Sequence, residues 1–225
     1  MLLDVVVATR AAAAEGPLSR LPPEALTRLL DGQMAVQTTA GGVLYRPGES
    51  VGLHLVVSGL IRVALASEEG RQITVRYGRR GDVLGVPVEV FGSAPVYAQA
   101  VTDAVVVTMR PGLLTQLAQR DSRVGLWMAD ELAARIDGLL QELSMTAFWP
   151  VRRRLARHLL DLAADQQRGE TLLVHASHQE LADHIGTVRE VVARTLTAFR
   201  TAGCIRSDPG GIRLLAPHAL AHLDD

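Results

Sequence analysis

A single cysteine, Cys204, is all the thiol chemistry this sequence offers. It has no partner for an internal disulfide and no cluster for iron–sulfur or structural zinc ligation, which excludes redox sensing through grouped cysteines. Lysine is absent altogether: the 23 basic residues are all arginine, set against 24 acidic ones for a formal net charge of -1. A near-neutral chain does not coat nucleic acid or anionic membrane by bulk attraction, so any such contact must be local. Long apolar runs are missing too. The start, MLLDVVVATRAAAAEG, has a short apolar stretch broken by Asp4 and no basic leader. It fits neither a secretion signal nor a membrane span, and the expectation is a cytoplasmic protein with no membrane partner. No His-x-His pair occurs, and His54 is the only histidine of the first half. A metal-dependent enzyme built in a β-barrel needs several histidines and a carboxylate converging, so the chain is not expected to be an enzyme.

What is present is 225 residues, 48 % of them hydrophobic, enough for one large domain or two modest ones with a real core. The opening stretch to about Gly16 reads as a frayed arm or a short helix. PPEALTRLL, from Pro22, places prolines in a first helical turn and Leu26, Leu29 and Leu30 at helical spacing. From about Gly41 to Met109 the pattern becomes short β-rich runs with turn glycines at Gly48, Gly59, Gly70 and Gly81, which predicts a sandwich or barrel-like roll.

A short helix is predicted over Pro111 to Gln119, and a long one over Ser122 to Ala147. In the long helix Leu132, Ile136, Leu139 and Leu143 repeat at four, three and four, the spacing of a coiled-coil seam, extended less well by Gly125, Ala129 and Thr146. The seam predicts pairing with a second copy; the competing reading is an amphipathic helix packed on its own β domain. Pro150 closes the segment. VRRRLARHLLDLAADQ (Val151 to Gln166) follows as a helix with Leu155, Leu159, Leu160 and Leu162 apolar and Arg152 to Arg154 exposed.

The next stretch, SHQELADHIGTVREVVARTLTAF, carries the chemistry. Ser177 with Glu180, and Thr187 with Glu190, stand at capping-box spacing and bracket two helices about Gly186. Leu181, Ala182 and Ile185 face inward on the first helix, and Val188, Val191, Val192 and Leu196 on the second: a helix-turn-helix. CIRSDPGGIRLL then reads as a hairpin turning at Asp208 to Gly211, a small β wing. Arg189, Glu190 and Arg194 stand outward at the start of the second helix. Arginine donates two hydrogen bonds to guanine O6 and N7 and glutamate accepts from cytosine N4, so the trio suits a G·C-containing half-site in the major groove of double-stranded DNA. Ser177, His178, Thr187 and the wing glycines Gly210 and Gly211 are candidate phosphate contacts that fix register. The competing reading is a capped surface helix with a Glu190–Arg194 ion pair. His175, His178 and His184 lack a recognised zinc spacing, and no metal is expected.

The whole order, with RPGE, VVSGLIRV, RRGDVLG and GTVREVVARTL, resembles the cyclic-AMP receptor protein / fumarate-nitrate reduction regulator (CRP/FNR) superfamily of bacterial transcription factors over about Pro22 to Leu215. The resemblance implies an α+β chain: a cyclic-nucleotide-binding-like β-roll with an N-terminal arm (1–121), a dimerisation helix (122–148) and a winged helix-turn-helix domain (149–225). It implies that Arg189, Glu190 and Arg194 read a TGTGA-like half-site, two of them about 34 Å apart meeting a homodimer. It also implies contact with RNA polymerase, for which the loop Gln166 to Thr171 with Arg168 and Glu170 is the candidate. Rotation about Trp149 and Pro150 would switch the DNA-binding domains. The departure lies in the effector pocket. Where cyclic-nucleotide binders of the family carry a ribose-binding glutamate and a phosphate-binding Arg-Ser or Arg-Thr pair, this chain has Val86 and Pro87, then Ala94 and Pro95. A cyclic phosphate buried there would lack a counter-charge, which disfavours cyclic AMP and leaves no cofactor predicted and the effector undefined. Arg79 or Arg80 would supply that charge only if the alignment slips. Haem, also sensed in the superfamily, would have His54 as its one axial ligand; the competing reading is a packing histidine. Two other functions stay open: regulation by a cyclic nucleotide or another small ligand through a diverged pocket, and a dimeric interaction module that no longer binds DNA.

Overall fold

Eight short antiparallel strands build the amino-terminal half of the computed structural model, which describes residues 2–66, 72–166 and 172–222. Before them come α1 (Leu2–Glu15), a 3₁₀ turn (Pro17–Arg20) and α2 (Pro23–Leu30). The strands are β1 (Met34–Thr38), β2 (Val43–Tyr45), β3 (His54–Ser58), β4 (Ile61–Ala66), β5 (Gln72–Gly78), β6 (Val83–Leu84), β7 (Tyr97–Ala100) and β8 (Ala104–Thr108), with α3 (Val86–Phe91) between β6 and β7. They form two four-stranded sheets, in the orders β1-β8-β3-β6 and β2-β7-β4-β5. Then come α4 (Leu113–Arg120) and α5 (Ser122–Phe148). The chain divides into two compact units, 1–138 and 139–225, the boundary falling inside α5.

The period of two explains why β3 is apolar almost throughout. Val56 joins Tyr45, Ile61, Leu84, Ala98 and Val106 in the core of the roll. Leu55 and Val57, on the opposite face, pack with Ala12, Leu18, Leu29, Leu114 and Trp127 from the helices. A strand covered on both sides cannot alternate with polar residues. Trp127 donates its indole N–H to the Pro17 carbonyl at 2.9 Å, the partner a buried indole needs.

The opening arm is helical. Thr9, Ala12 and Ala13 are buried, and Glu15 grips the Arg80 guanidinium with both carboxylate oxygens (2.8 and 3.0 Å). Gly48, Gly59 and Gly81 each adopt a φ of 86°, as turn glycines should; Gly70 lies outside the described residues. Gly59 is doubly constrained, because a Cβ there would stand 2.5 Å from the Asp103 carbonyl oxygen.

Two elements depart from expectation. β1 lies before Gly41, where the strands were expected to begin; among the described residues it is an edge strand paired only with β8, and it is largely exposed, so no alternation marks it. α3 falls where the pattern read as strand and turn. It is bounded by left-handed Gly85 and Gly92, and Pro87 is tolerated in its first turn.

His54 is almost fully buried. Its ring stacks on Tyr45 (centroids 5.3 Å apart) and Nδ1 bonds Thr108 Oγ1 at 2.9 Å. Desolvation lowers its pKa from 6.5 to about 4. Between those values the unfolded chain binds a proton that the folded roll refuses, so stability falls as pH drops through that window and loses nothing more below it. The expected loss is about 3 kcal/mol. Unfolding monitored through Trp127 across pH 6.5 to 4 should show it, and His54→Gln should flatten the slope.

Candidate nucleic-acid interface

The second unit contains the end of α5, then α6 (Val151–Gln166), β9 (Leu173–Val174), α7 (His178–Ile185), α8 (Arg189–Thr201), β10 (Ile205–Asp208), β11 (Gly211–Leu214) and α9 (Pro217–Ala221). Leu155, Leu159 and Leu162 of α6, Leu181, Ala182 and Ile185 of α7, and Val192, Leu196 and Phe199 of α8 form its buried interior. The helix-turn-helix is thus held from behind by α6. Arg152 and Arg153 are exposed as expected; Arg154 is half-buried instead and loses basicity to desolvation.

Local chemistry fixes where each helix starts. Ser177 Oγ accepts the Glu180 amide at 3.1 Å and Glu180 Oε2 accepts the Ser177 amide at 2.7 Å, completing the first capping box. Gly186 ends α7 with a φ of 65°, and its amide and that of Thr187 both point at the Ala182 carbonyl. That closure consumes the Thr187 amide and delays α8 by a residue. Val188 becomes the N-cap, with no side-chain cap bond, so the second box expected from Thr187 and Glu190 does not form. Val188 does not face inward either: it is 56 % exposed.

Arg189, Glu190 and Arg194 all stand in solvent, and among the described residues none of their side chains makes a hydrogen bond or ion pair. The Glu190–Arg194 pair of the competing reading is therefore not formed. Glu190 and Arg194 lie about 6 Å apart along the helix axis and on nearly the same side. The trio is presented at a helix N-terminus, whose free amides and positive dipole end favour a polyanion.

The wing pairs β10 with β11 and β11 with β9. Its turn is Pro209–Gly210, Gly210 having a φ of 89°. Asp208 holds Arg206 at 2.9 Å and also Arg213, while His175 Nδ1 lies 2.7 Å from the Gly210 carbonyl oxygen. Gly211 serves its own sheet, since a Cβ there would stand 2.5 Å from the Val174 carbonyl oxygen. The histidines do not converge: His184 stacks on buried His158 of α6 at 3.6 Å, a pairing without sequence signal. Among the described residues no group of three or more His, Cys, Asp or Glu is arranged to hold a metal. Of the candidate polymerase-contact loop, Gln166 ends α6, and residues 167–171, with Arg168 and Glu170, lie outside the described residues.

On α5, Val124, Trp127, Met128 and Glu131 are buried and Leu132 packs partly against the same core, an i, i+3, i+4, i+7, i+8 stripe that docks the first half of the helix on the roll. Buried Glu131 is engaged by Arg20 and Arg135. The other seam residues, Ile136, Leu139 and Leu143, stay 60, 50 and 63 % exposed, with Leu140 beside them at 58 %.

The effector positions are apolar or engaged. Val86 is buried among core residues. Ala94 is buried too, its amide donating to the Glu49 carbonyl (3.0 Å) and its carbonyl accepting from Gly48 (2.8 Å). Arg80 is committed to Glu15 and to the Val57 carbonyl (2.8 Å). His54 is enclosed between Tyr45 and Thr108, with Nδ1 bonded to Thr108 Oγ1 and Nε2 buried without a hydrogen-bond partner among the described residues. Among the described residues no helix is long and apolar enough to cross a membrane.

Comparison with known proteins agrees with this architecture. Residues 35–121 match the cyclic nucleotide-binding domain and residues 153–223 the Crp-like helix-turn-helix domain. The transcriptional regulator SdrP of Thermus thermophilus is 33 % identical over 186 residues, covering 79 % of this chain and 86 % of that protein. A CRP-like cAMP-activated global transcriptional regulator of Mycobacterium tuberculosis is 25 % identical over 217 residues, 93 % of this chain and 96 % of that one. The crystal structure of a CRP-family transcriptional regulator from Thermus thermophilus superposes with a TM-score of 0.71 at 28 % identity, covering 82 % of this chain and 94 % of that one. With both domain types in order and a relative a third identical along most of its length, this chain belongs to the CRP/FNR superfamily of transcriptional regulators.

Proposed function

We propose that the protein is a cytoplasmic, homodimeric, site-specific regulator that reads a TGTGA-like palindrome through Arg189, Glu190 and Arg194 and does not depend on cyclic AMP in the family's usual way. The observation that carries this reading is the unpaired, exposed state of the trio at the start of α8. Ser177, His178, Thr187 and Gly210 are the proposed phosphate contacts, with Gly211 shaping the wing behind them. Dimerisation is supported by the stripe of Ile136, Leu139, Leu140 and Leu143, whose apolar surface a single chain leaves in water. Independence from cyclic AMP is supported by the apolar Val86 and Ala94 and by Arg80 being engaged elsewhere. RNA polymerase is the proposed protein partner, and a small ligand of different chemistry acting in the diverged roll is the second reading.

Fluorescence anisotropy on a duplex with two TGTGA half-sites and on its scrambled counterpart, at one fixed salt concentration, tests this directly. The expected preference is at least about a thousandfold without added cyclic AMP and unchanged by it. Equal affinities, or a preference that appears only with cyclic AMP, would contradict it. In sedimentation the protein should run at twice the 24.2 kDa chain mass, and Leu139→Asp with Leu143→Asp should convert it to single chains.

A further inference from the structure

We propose that Val188 is a fourth specificity residue and reads the 5-methyl group of a thymine beside the G·C pair read by Arg189. The inference rests on the reading that α8 enters the major groove.

Val188 breaks two local rules at once. As the N-cap of α8 it stands where Ser, Thr, Asp or Asn would bond the free amides, and it offers no acceptor. As an apolar residue it is 56 % exposed, while Val192, Leu196 and Phe199 of the same helix are buried. It therefore serves neither the cap nor the core. Departures of this kind from local consistency are expected at functional positions.

Its place supplies the function. It immediately precedes Arg189 and Glu190 at the end of the helix that approaches base edges, where N-terminal residues of a recognition helix make their contacts. The arginines and the glutamate match guanine and cytosine, but none of them can detect what separates thymine from the other bases in that groove, a methyl group. A β-branched side chain has few rotamers to lose and presents two methyls of its own. On docking, both apolar surfaces leave water together.

The test uses the full-length protein and a bound palindromic duplex in which each thymine of one half-site is replaced in turn by deoxyuridine, which removes only the methyl. One replacement should weaken wild-type binding about fourfold, the fold-change of one methyl-sized group buried. Val188→Ser should bind the thymine and deoxyuridine duplexes equally, and its thermal midpoint should be no lower than wild type because serine is a good N-cap. Site-specific binding that is indifferent to every deoxyuridine, or a Val188→Ser protein that keeps the full penalty, would overturn this inference alone. Absence of any site preference in the wild type would overturn it together with the DNA-reading role of α8.

Discussion

Alanine at both Arg189 and Arg194 is expected to reduce binding of the palindromic duplex to the level of random DNA, a loss of about a thousandfold or more. Each guanidinium that pairs with guanine O6 and N7 contributes about 1 to 3 kcal/mol of discrimination, and a dimer makes every such contact twice. Non-specific affinity should fall much less, because it draws on helix-start amides, the wing and other arginines meeting phosphate. Both side chains are exposed and make no ion pair or hydrogen bond among the described residues, so the variant should fold as the wild type does. Anisotropy on specific and scrambled duplexes at matched salt measures both losses, and equal losses would reassign the two arginines to phosphate contacts. Glu190→Ala should behave differently, relaxing the choice of base opposite it with a smaller change in affinity.

Phe199→Ala is expected to have the largest effect on stability, about 3 to 5 kcal/mol. The ring is fully buried, and it anchors α8 in an interior shared with Leu181, Leu196 and the leucines of α6, with the Arg152 guanidinium 5.7 Å from its centre. A unit of this size has only about 5 to 15 kcal/mol to lose, so a cavity there removes much of the margin. Limited proteolysis and circular dichroism should show the second unit opening at moderate temperature while the roll persists. DNA binding should fall with it. Arg200→Ala, exposed one residue away, should change stability by less than about 0.5 kcal/mol. Similar effects from the two substitutions would contradict the assignment of Phe199 as the anchor.

Where signals are local and agree with one another, sequence and structure coincide. α6 spans Val151–Gln166 as its apolar spacing predicts, the Ser177 box starts α7, and Pro209–Gly210 turns the wing. The misses have physical causes. β1 is an exposed edge strand and offers no alternation to detect. α3 is six residues long, rich in β-branched residues, and depends on two left-handed glycines for its ends. Thr187 and Glu190 satisfy the spacing of a capping box, but the Gly186 closure takes the Thr187 amide first and displaces the helix start to Val188. α5 carries two apolar stripes on one helix. The seam from Leu132 to Leu143 is visible in the spacing, whereas the stripe from Val124 to Leu132 is interrupted by Glu131, which is buried with Arg135 one turn on and with Arg20, 111 residues away in sequence. The His158–His184 stack is likewise a product of tertiary packing.

The reading of α8 is tested most directly by selecting bound sequences from a random duplex pool with the purified protein, without added effector, at one near-physiological salt concentration. The expected result is enrichment of a palindrome with TGTGA-like half-sites one helical turn apart, lost when Arg189 and Arg194 are alanine. A pool that shows no enrichment, or one that the double variant enriches equally well, would contradict it.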